Sequence, residues 1–245
     1  MFAAIEAALA SLYPTRRFGE RREDLAWSEA EAAPSSAHLA RKLTERLGTL
    51  VLEVPPSAEE YCRHLYVLCL GRRPSLIECL HGQATPADCA PIGPDPIEEL
   101  YLRVSVSDLV PFAAVQQVAL RAELLHDQRR TDDAASTSVE RPTEALLIEE
   151  TVRAGVFDPV LLPRYQRLVA TLVEEGLRNL DFGEINEPPA GFDPGAHTER
   201  TGAEPVVANY LFYPQPCSSI TTTVVPFSSP ASEDDALASA AAVVV

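Results

Sequence analysis

Lysine is nearly absent from this chain of 245 residues. Lys42 is the only lysine among the twenty basic side chains, and all the others are arginines. A GC-rich coding bias, or a reading frame that overlaps another gene, accounts for such a shortage. A functional explanation is the alternative, because lysine is the side chain that accepts ubiquitin. A protein that works beside a ubiquitin ligase gains by offering it few targets.

Long apolar runs are also missing. No segment approaches the roughly 18 apolar residues needed to span a bilayer, and the first twelve residues contain Glu6 but no basic residue. We therefore expect neither a transmembrane segment nor a signal peptide. The five cysteines are expected to be reduced thiols. These features predict a protein of the cytoplasm or the nucleus.

Catalytic sequence motifs are absent too. The sequence has no glycine-rich phosphate loop, no serine-nucleophile elbow and no helical His-Glu-x-x-His zinc motif. Its acidic doublets are sequence neighbours, so on a helix their side chains point about 100° apart and do not converge on one substrate atom. We expect a non-enzymatic protein without a cofactor.

Acidic side chains dominate the charge. Thirty-six Asp and Glu residues against twenty Lys and Arg residues give a net charge of −16. Such a charge repels phosphate backbones and anionic membranes. We therefore expect no direct binding to nucleic acid.

The apolar pattern predicts a predominantly helical α+β domain. An apolar fraction of 46% is typical of a globular protein. Helical spacing and capping signals predict helices over residues 2–13, 36–47, 58–70, 109–128, 143–154 and 160–179, and strands are expected over 49–54 and 100–106. We place the domain at residues 1–185. Residues 186–245, rich in Pro, Ser and Ala, are expected to form an extended or disordered tail.

The segment from Val54 to Gly82 is the predicted working part of the chain. Ser57 and Glu60 have the spacing of a capping box, so we expect a helix to begin at Ala58. The apolar side of that helix carries Tyr61, Leu65, Leu68 and Cys69.

The order of residues in this segment resembles the F-box-like segment of the RNA-silencing suppressors of plant poleroviruses, the P-zero proteins. In that family a leucine-proline pair precedes an apolar residue, a helix, and a second proline a little over ten residues later. Here the order is Val54-Pro55, Ala58, the predicted helix, and Gly71-Arg-Arg-Pro74-Ser-Leu76. Valine replaces the leucine of the family.

The resemblance implies a viral suppressor of RNA silencing. Such an adaptor docks the Skp-type subunit of a ubiquitin ligase and brings host Argonaute to it for degradation, without binding small RNA, in the cytoplasm or nucleus of the host cell. The residues that the resemblance and the predicted helix assign to partner binding are Val54, Pro55, Ala58, Tyr61, Cys62, Leu65, Cys69, Gly71, Pro74 and Leu76.

Clustered cysteines leave an alternative open. Cys62, Cys69, Cys79 and Cys89 fall within 28 residues, and His64 and His81 lie among them. Zinc accepts such ligands, but the Cys-x-x-Cys spacing of zinc knuckles is missing, and buried cysteines also serve as small apolar residues. We predict no metal. A helical scaffold or a zinc-stabilised interaction protein of another origin is the alternative to the adaptor.

Overall fold

A seven-stranded, mostly antiparallel sheet is the main element of the fold. The computed structural model describes residues 3–22, 34–54, 61–91, 95–126, 144–153, 158–212 and 220–226. Helix and strand take nearly equal shares, about 34% and 33%. The prediction of a predominantly helical α+β fold is therefore wrong.

The helices and strands alternate irregularly along the chain. The helices are α1 (Ala3–Leu12), α2 (Ser36–Leu47), α3 (Leu76–Leu80), α4 (Pro86–Cys89), α5 (Leu162–Glu174), α6 (Phe182–Asn186), α7 (His197–Thr201) and α8 (Val207–Leu211). The strands are β1 (Val51–Val54), β2 (Cys62–Leu70), β3 (Ile97–Ser107), β4 (Phe112–His126), β5 (Glu144–Arg153), β6 (Arg178–Leu180) and β7 (Ile220–Pro226). In the sheet the order is β1-β2-β3-β4-β5-β7, and the short β6 pairs in parallel with β4.

Two compact units divide the chain. Unit 1 combines Met1–Cys69, Tyr101–Gln117 and Arg153–Ser218, and unit 2 combines Leu70–Leu100, Val118–Val152 and Ser219–Val245. Strands β3 and β4 therefore contribute residues to both units.

Unit 1 has two apolar clusters on opposite faces of its strands. Leu65 and Val67 of β2 pack in a cluster with Leu39 and Leu43 of α2, together with Leu168 and Leu172 of α5. Cys62, on the other face of β2, packs in a second cluster with residues of α1 and α8, including Ile5, Leu9, Tyr210 and Leu211. Because successive side chains of a strand point to opposite faces, one strand serves both clusters. β2 is consequently buried on both sides.

Unit 2 encloses a charged group beside its short helices. Glu99 is fully buried, and its carboxylate accepts hydrogen bonds from the backbone N–H groups of Leu76 (2.8 Å) and Arg72 (3.3 Å). Ser75 begins α3 with a capping box, in which its hydroxyl accepts from Glu78 N–H and Glu78 accepts from Ser75 N–H. These bonds fix the chain between β2 and α3.

Several predicted elements are confirmed. Helices α1, α2 and α5 and strands β1 and β3 lie within or near their predicted ranges. In α2, Ser35 is the N-cap, and its hydroxyl accepts from His38 N–H. Gly48 ends α2 at φ +63°, the left-handed conformation that glycine adopts without steric cost.

Three predicted helices are strands instead. The helix expected from Ala58 through Tyr61, Leu65 and Cys69 is wrong, because residues 62–70 form β2. Likewise 112–126 form β4 and 144–153 form β5. A strand buried on both faces has a continuous apolar run, which periodicity cannot distinguish from a helix. The capping box at Ser57 lies outside the described residues.

Part of the expected tail is folded. Residues 197–201 and 207–211 are helical, and Val207, Tyr210, Leu211 and Phe212 are buried in unit 1. Residues 220–226 form β7, which pairs antiparallel with β5. Residues 227–245 lie outside the description, and a boundary at 185 stays a prediction.

Candidate functional site

The residues assigned to partner binding do not share an exposed surface. Four of them, Val54, Cys62, Leu65 and Leu76, are buried, with Cys62 and Leu65 at 0% exposure. Tyr61, Cys69 and Pro74 are half-buried, and Gly71 is exposed. Pro55 and Ala58 lie outside the described residues. Leu65 and Leu68 of the expected apolar stripe therefore pack inside the protein.

Two half-buried members of this set, Tyr61 and Cys69, are held by contacts within unit 1. Tyr61 N–H donates to Phe212 O (2.9 Å), and the guanidinium of Arg21 lies 4.6 Å from the centroid of the Tyr61 ring. Arg164 donates to Cys69 O, and burial raises the pKa of the Cys69 thiol. These contacts are those of a structural strand.

The end of β2 is the part of the segment that reaches solvent. Leu70 is 62% exposed, and Gly71 and Arg73 after it are exposed as well. The guanidinium of Arg72 donates to the carbonyl oxygens of Cys89 and Ala90, so it anchors this turn within unit 2. Leu70 is one of six large apolar side chains that the described residues expose, and single exposed ones are common on protein surfaces, so only its place in this segment makes it a candidate contact. We call residues Leu70–Pro74 the β2 turn.

Unit 1 contains a thiol, an imidazole and a hydroxyl in a row. Cys62 Sγ lies 3.5 Å from His64 Nε2, and His64 Nδ1 lies 3.2 Å from Ser105 Oγ. A Cys-x-His spacing on a strand places both side chains on one face, and β3 supplies the hydroxyl. The order of groups is that of a base-activated nucleophile whose base is oriented by a third residue.

The burial of these three groups determines whether a substrate can reach them. Exposure is 0% for Cys62, 5% for His64 and 0% for Ser105. A substrate atom cannot approach the sulfur at this burial, so the three groups satisfy one another's hydrogen bonds inside the core. We call them the sealed row.

Two further cysteines meet in unit 2. The thiol of Cys89 donates to Ser75 O (3.5 Å), and burial, with the neighbouring Cys79, raises the pKa of Cys89 to about 12. In the described ranges no group of three or more His, Cys, Asp and Glu residues could hold a metal ion. The zinc alternative therefore has no site in that part of the chain.

A cavity of about 270 Å³ opens in unit 1 between two loops. Its walls include four prolines, and the aromatic residues Phe192 and Tyr210 and the carboxylate of Glu204 also line it. The prolines are Pro188, Pro189, Pro194 and Pro205. We call this the Tyr210 cavity.

Aromatic contacts fix Tyr210 in this cavity. The rings of Tyr13, Phe18 and Phe192 lie 5.0, 4.9 and 5.5 Å from the ring of Tyr210, each edge to face. Tyr13 Oη donates to Tyr210 O (3.0 Å). Tyr210 is 1% exposed, and its own hydroxyl has no hydrogen-bond partner among the residues that the structure describes.

Electrostatics at the Tyr210 hydroxyl favour positive charge. Burial, followed by the carboxylates of Asp193 and Glu204, raises the pKa of Tyr210 to about 12. Helical or strand patterning does not reveal this site, because residues 188–210 fall in the predicted tail and Tyr13 lies 197 positions from Tyr210. Only the crowding of prolines around one phenylalanine marked the region.

Comparisons with known proteins add no relative: no family model matches the chain, and no curated protein or solved structure matches it either. None of the described helices is both long enough and apolar enough to cross a membrane. Any statement on function therefore depends on the residues themselves.

Proposed function

We propose that this chain is a non-enzymatic adaptor that binds protein partners and suppresses RNA silencing for a virus. In this proposal it joins the Skp-type subunit of a ubiquitin ligase to host Argonaute and causes Argonaute to be degraded. The observation that supports it is the residue order from Val54-Pro55 to Pro74, shared with the P-zero suppressors. The single lysine, Lys42, is consistent with work beside a ubiquitin ligase.

The mode of docking differs from the one that the sequence predicts. An amphipathic helix would lay its apolar stripe in a partner groove, but Cys62 and Leu65 belong to a strand and are buried. We propose that the contact is made by the β2 turn instead. Leu70 supplies the exposed apolar side chain, and Arg72 holds the turn through Cys89 and Ala90.

Co-precipitation with a purified Skp-type subunit tests this docking site. We expect Leu70→Glu to weaken capture by about tenfold or more, because burying a charge in an apolar contact is costly. Val160→Glu is the matched control, since Val160 is 81% exposed and lies outside the segment. Both variants should melt close to the wild type, because neither side chain is part of a core.

Equal capture of all three proteins would contradict docking through the β2 turn. A wild-type chain that fails to capture any Skp-type subunit would contradict the adaptor function itself. In plant cells, the proposal predicts a lower Argonaute level with the wild type and Val160→Glu, and an unchanged level with Leu70→Glu.

A further inference from the structure

The Tyr210 cavity combines features of a binding site for a cation that donates hydrogen bonds. No hydrogen bond joins the Tyr210 hydroxyl to another described residue, and Tyr210 lines the cavity, so this hydroxyl is available to accept a hydrogen bond from a ligand there. The carboxylate of Glu204 lines the same cavity, and that of Asp193 is close enough to affect Tyr210. All three groups accept hydrogen bonds.

The prolines of the wall exclude the opposite kind of ligand. Anion sites in proteins are built from backbone N–H groups that converge on the ligand. Proline has no backbone N–H, so the four prolines contribute carbonyl oxygens and apolar rings but no donors. A carboxylate or phosphate would meet no backbone N–H donors from these four prolines, whereas a cation meets the oxygen acceptors of Tyr210 and Glu204.

The aromatic wall favours a planar cation. Arg16 of the chain places its guanidinium 5.8 Å from the centroid of Phe192, so this ring already accepts that group. Guanidinium is planar and weakly hydrated and carries five donors, whereas ammonium is compact and strongly hydrated. The neighbouring Arg17 is paired with Glu20 (3.2 Å) and Asp193 (3.5 Å), so its charge is largely balanced.

We propose that the Tyr210 cavity binds the guanidinium group of an arginine side chain that a partner protein presents. Tyr210 Oη and the Glu204 carboxylate accept its hydrogen bonds, and the ring of Phe192 with the prolines covers its planar face. The net charge of −16 attracts the basic segment that carries such an arginine. This inference rests on the proposed binding function, but it requires neither the β2 turn nor a Skp-type partner.

Calorimetric titration with small probes tests the cavity directly. The probe is N-acetyl-arginine amide, and its isosteric but uncharged counterpart N-acetyl-citrulline amide is the ligand control. We expect the arginine probe to bind with a millimolar Kd, N-acetyl-lysine amide to bind several-fold more weakly, and the citrulline probe not to bind. Equal heats for the three probes, or no heat for the arginine probe, would overturn the inference.

Two conservative variants locate the binding. Tyr210→Phe removes only the hydroxyl and keeps the ring, and Glu204→Gln removes only the charge, so both should fold. We expect each to weaken arginine binding about fivefold or more, whereas Glu199→Gln, at an exposed carboxylate of α7, should bind as the wild type does. Unchanged binding by the first two variants would overturn the assignment.

Capture of a Skp-type subunit by the same variants separates the two proposals. Arginine binding without capture of the Skp-type subunit would support the proposed arginine site and contradict the adaptor function. Capture of the Skp-type subunit without arginine binding would contradict only the proposal that the Tyr210 cavity binds arginine.

Discussion

The sealed row and the Tyr210 cavity, both in unit 1, differ in access rather than in chemistry. Cys62, His64 and Ser105 carry groups that can act as nucleophile, base and orienting residue, but the nucleophile, Cys62, is 0% exposed. Tyr210 is itself only 1% exposed, yet it lines an open cavity together with Glu204. A set of nucleophilic and basic side chains therefore indicates function only where a substrate can approach it.

The strand that carries the sealed row should be the most sensitive part of the protein. Leu65→Ala is expected to lower the free energy of unfolding by about 2–5 kcal/mol, because it leaves a cavity in a packed core. Leu70→Ala, at the exposed end of the same strand, should cost less than about 0.5 kcal/mol. Chemical denaturation measures both. Equal losses would contradict the burial of β2.

Titration of Tyr210 tests the environment of its hydroxyl in the Tyr210 cavity. The tyrosinate absorbance that is lost in Tyr210→Phe should titrate with a pKa of about 12, against an ordinary value of 10.0. Since the folded state raises this pKa, the neutral phenol contributes stability that is fully present below pH 10 and is lost as the pH rises toward 12. Glu204→Gln should lower the pKa of Tyr210. A difference signal centred at pH 10 would contradict the buried environment.

Ser105→Ala tests whether the sealed row is structural. Removal of the hydroxyl leaves His64 Nδ1 without that hydrogen bond, and we expect a loss of about 1 kcal/mol in the free energy of unfolding. Ser11→Ala, at an exposed position of α1, is the matched control and should change stability little. An unfolding midpoint identical to the wild type would contradict a structural role for the row.

The smallest effect is expected at an exposed ion pair. Arg46 Nη2 lies 2.6 Å from Glu174 Oε2, but the two side chains are 58% and 55% exposed. Solvent screens such a pair, so Arg46→Ala should lower the free energy of unfolding by no more than about 0.5 kcal/mol. A loss above 1 kcal/mol in thermal or chemical unfolding would show that this pair is not screened.

Local sequence signals predicted α2, whose buried apolar residues lie on one face of the helix. Leu39 and Leu43 recur at helical spacing on α2 and are buried, while most of its other residues face solvent, so amphipathicity identified the helix. β2 has apolar residues on both faces, and its Leu-rich run fits a helix equally well. Burial on the second face comes from residues distant in sequence, which no local window contains.

The candidate sites also depend on contacts between residues that are distant in sequence. Cys62 and His64 drew attention as sequence neighbours, but Ser105 joins them only through the pairing of strands. Tyr210 meets Tyr13 and Phe18 from the other end of the chain, so nothing near residue 210 indicated a cavity. Access to solvent is a property of the whole fold, and it decided which residues remain candidates.

Hydrogen–deuterium exchange of the chain with and without a Skp-type subunit is the most direct test of the adaptor account. The account predicts slower exchange on binding in residues 70–75, beside the exposed Leu70, and no change in residues 188–210 around the Tyr210 cavity. Unchanged exchange in residues 70–75 at saturating Skp-type subunit would contradict it.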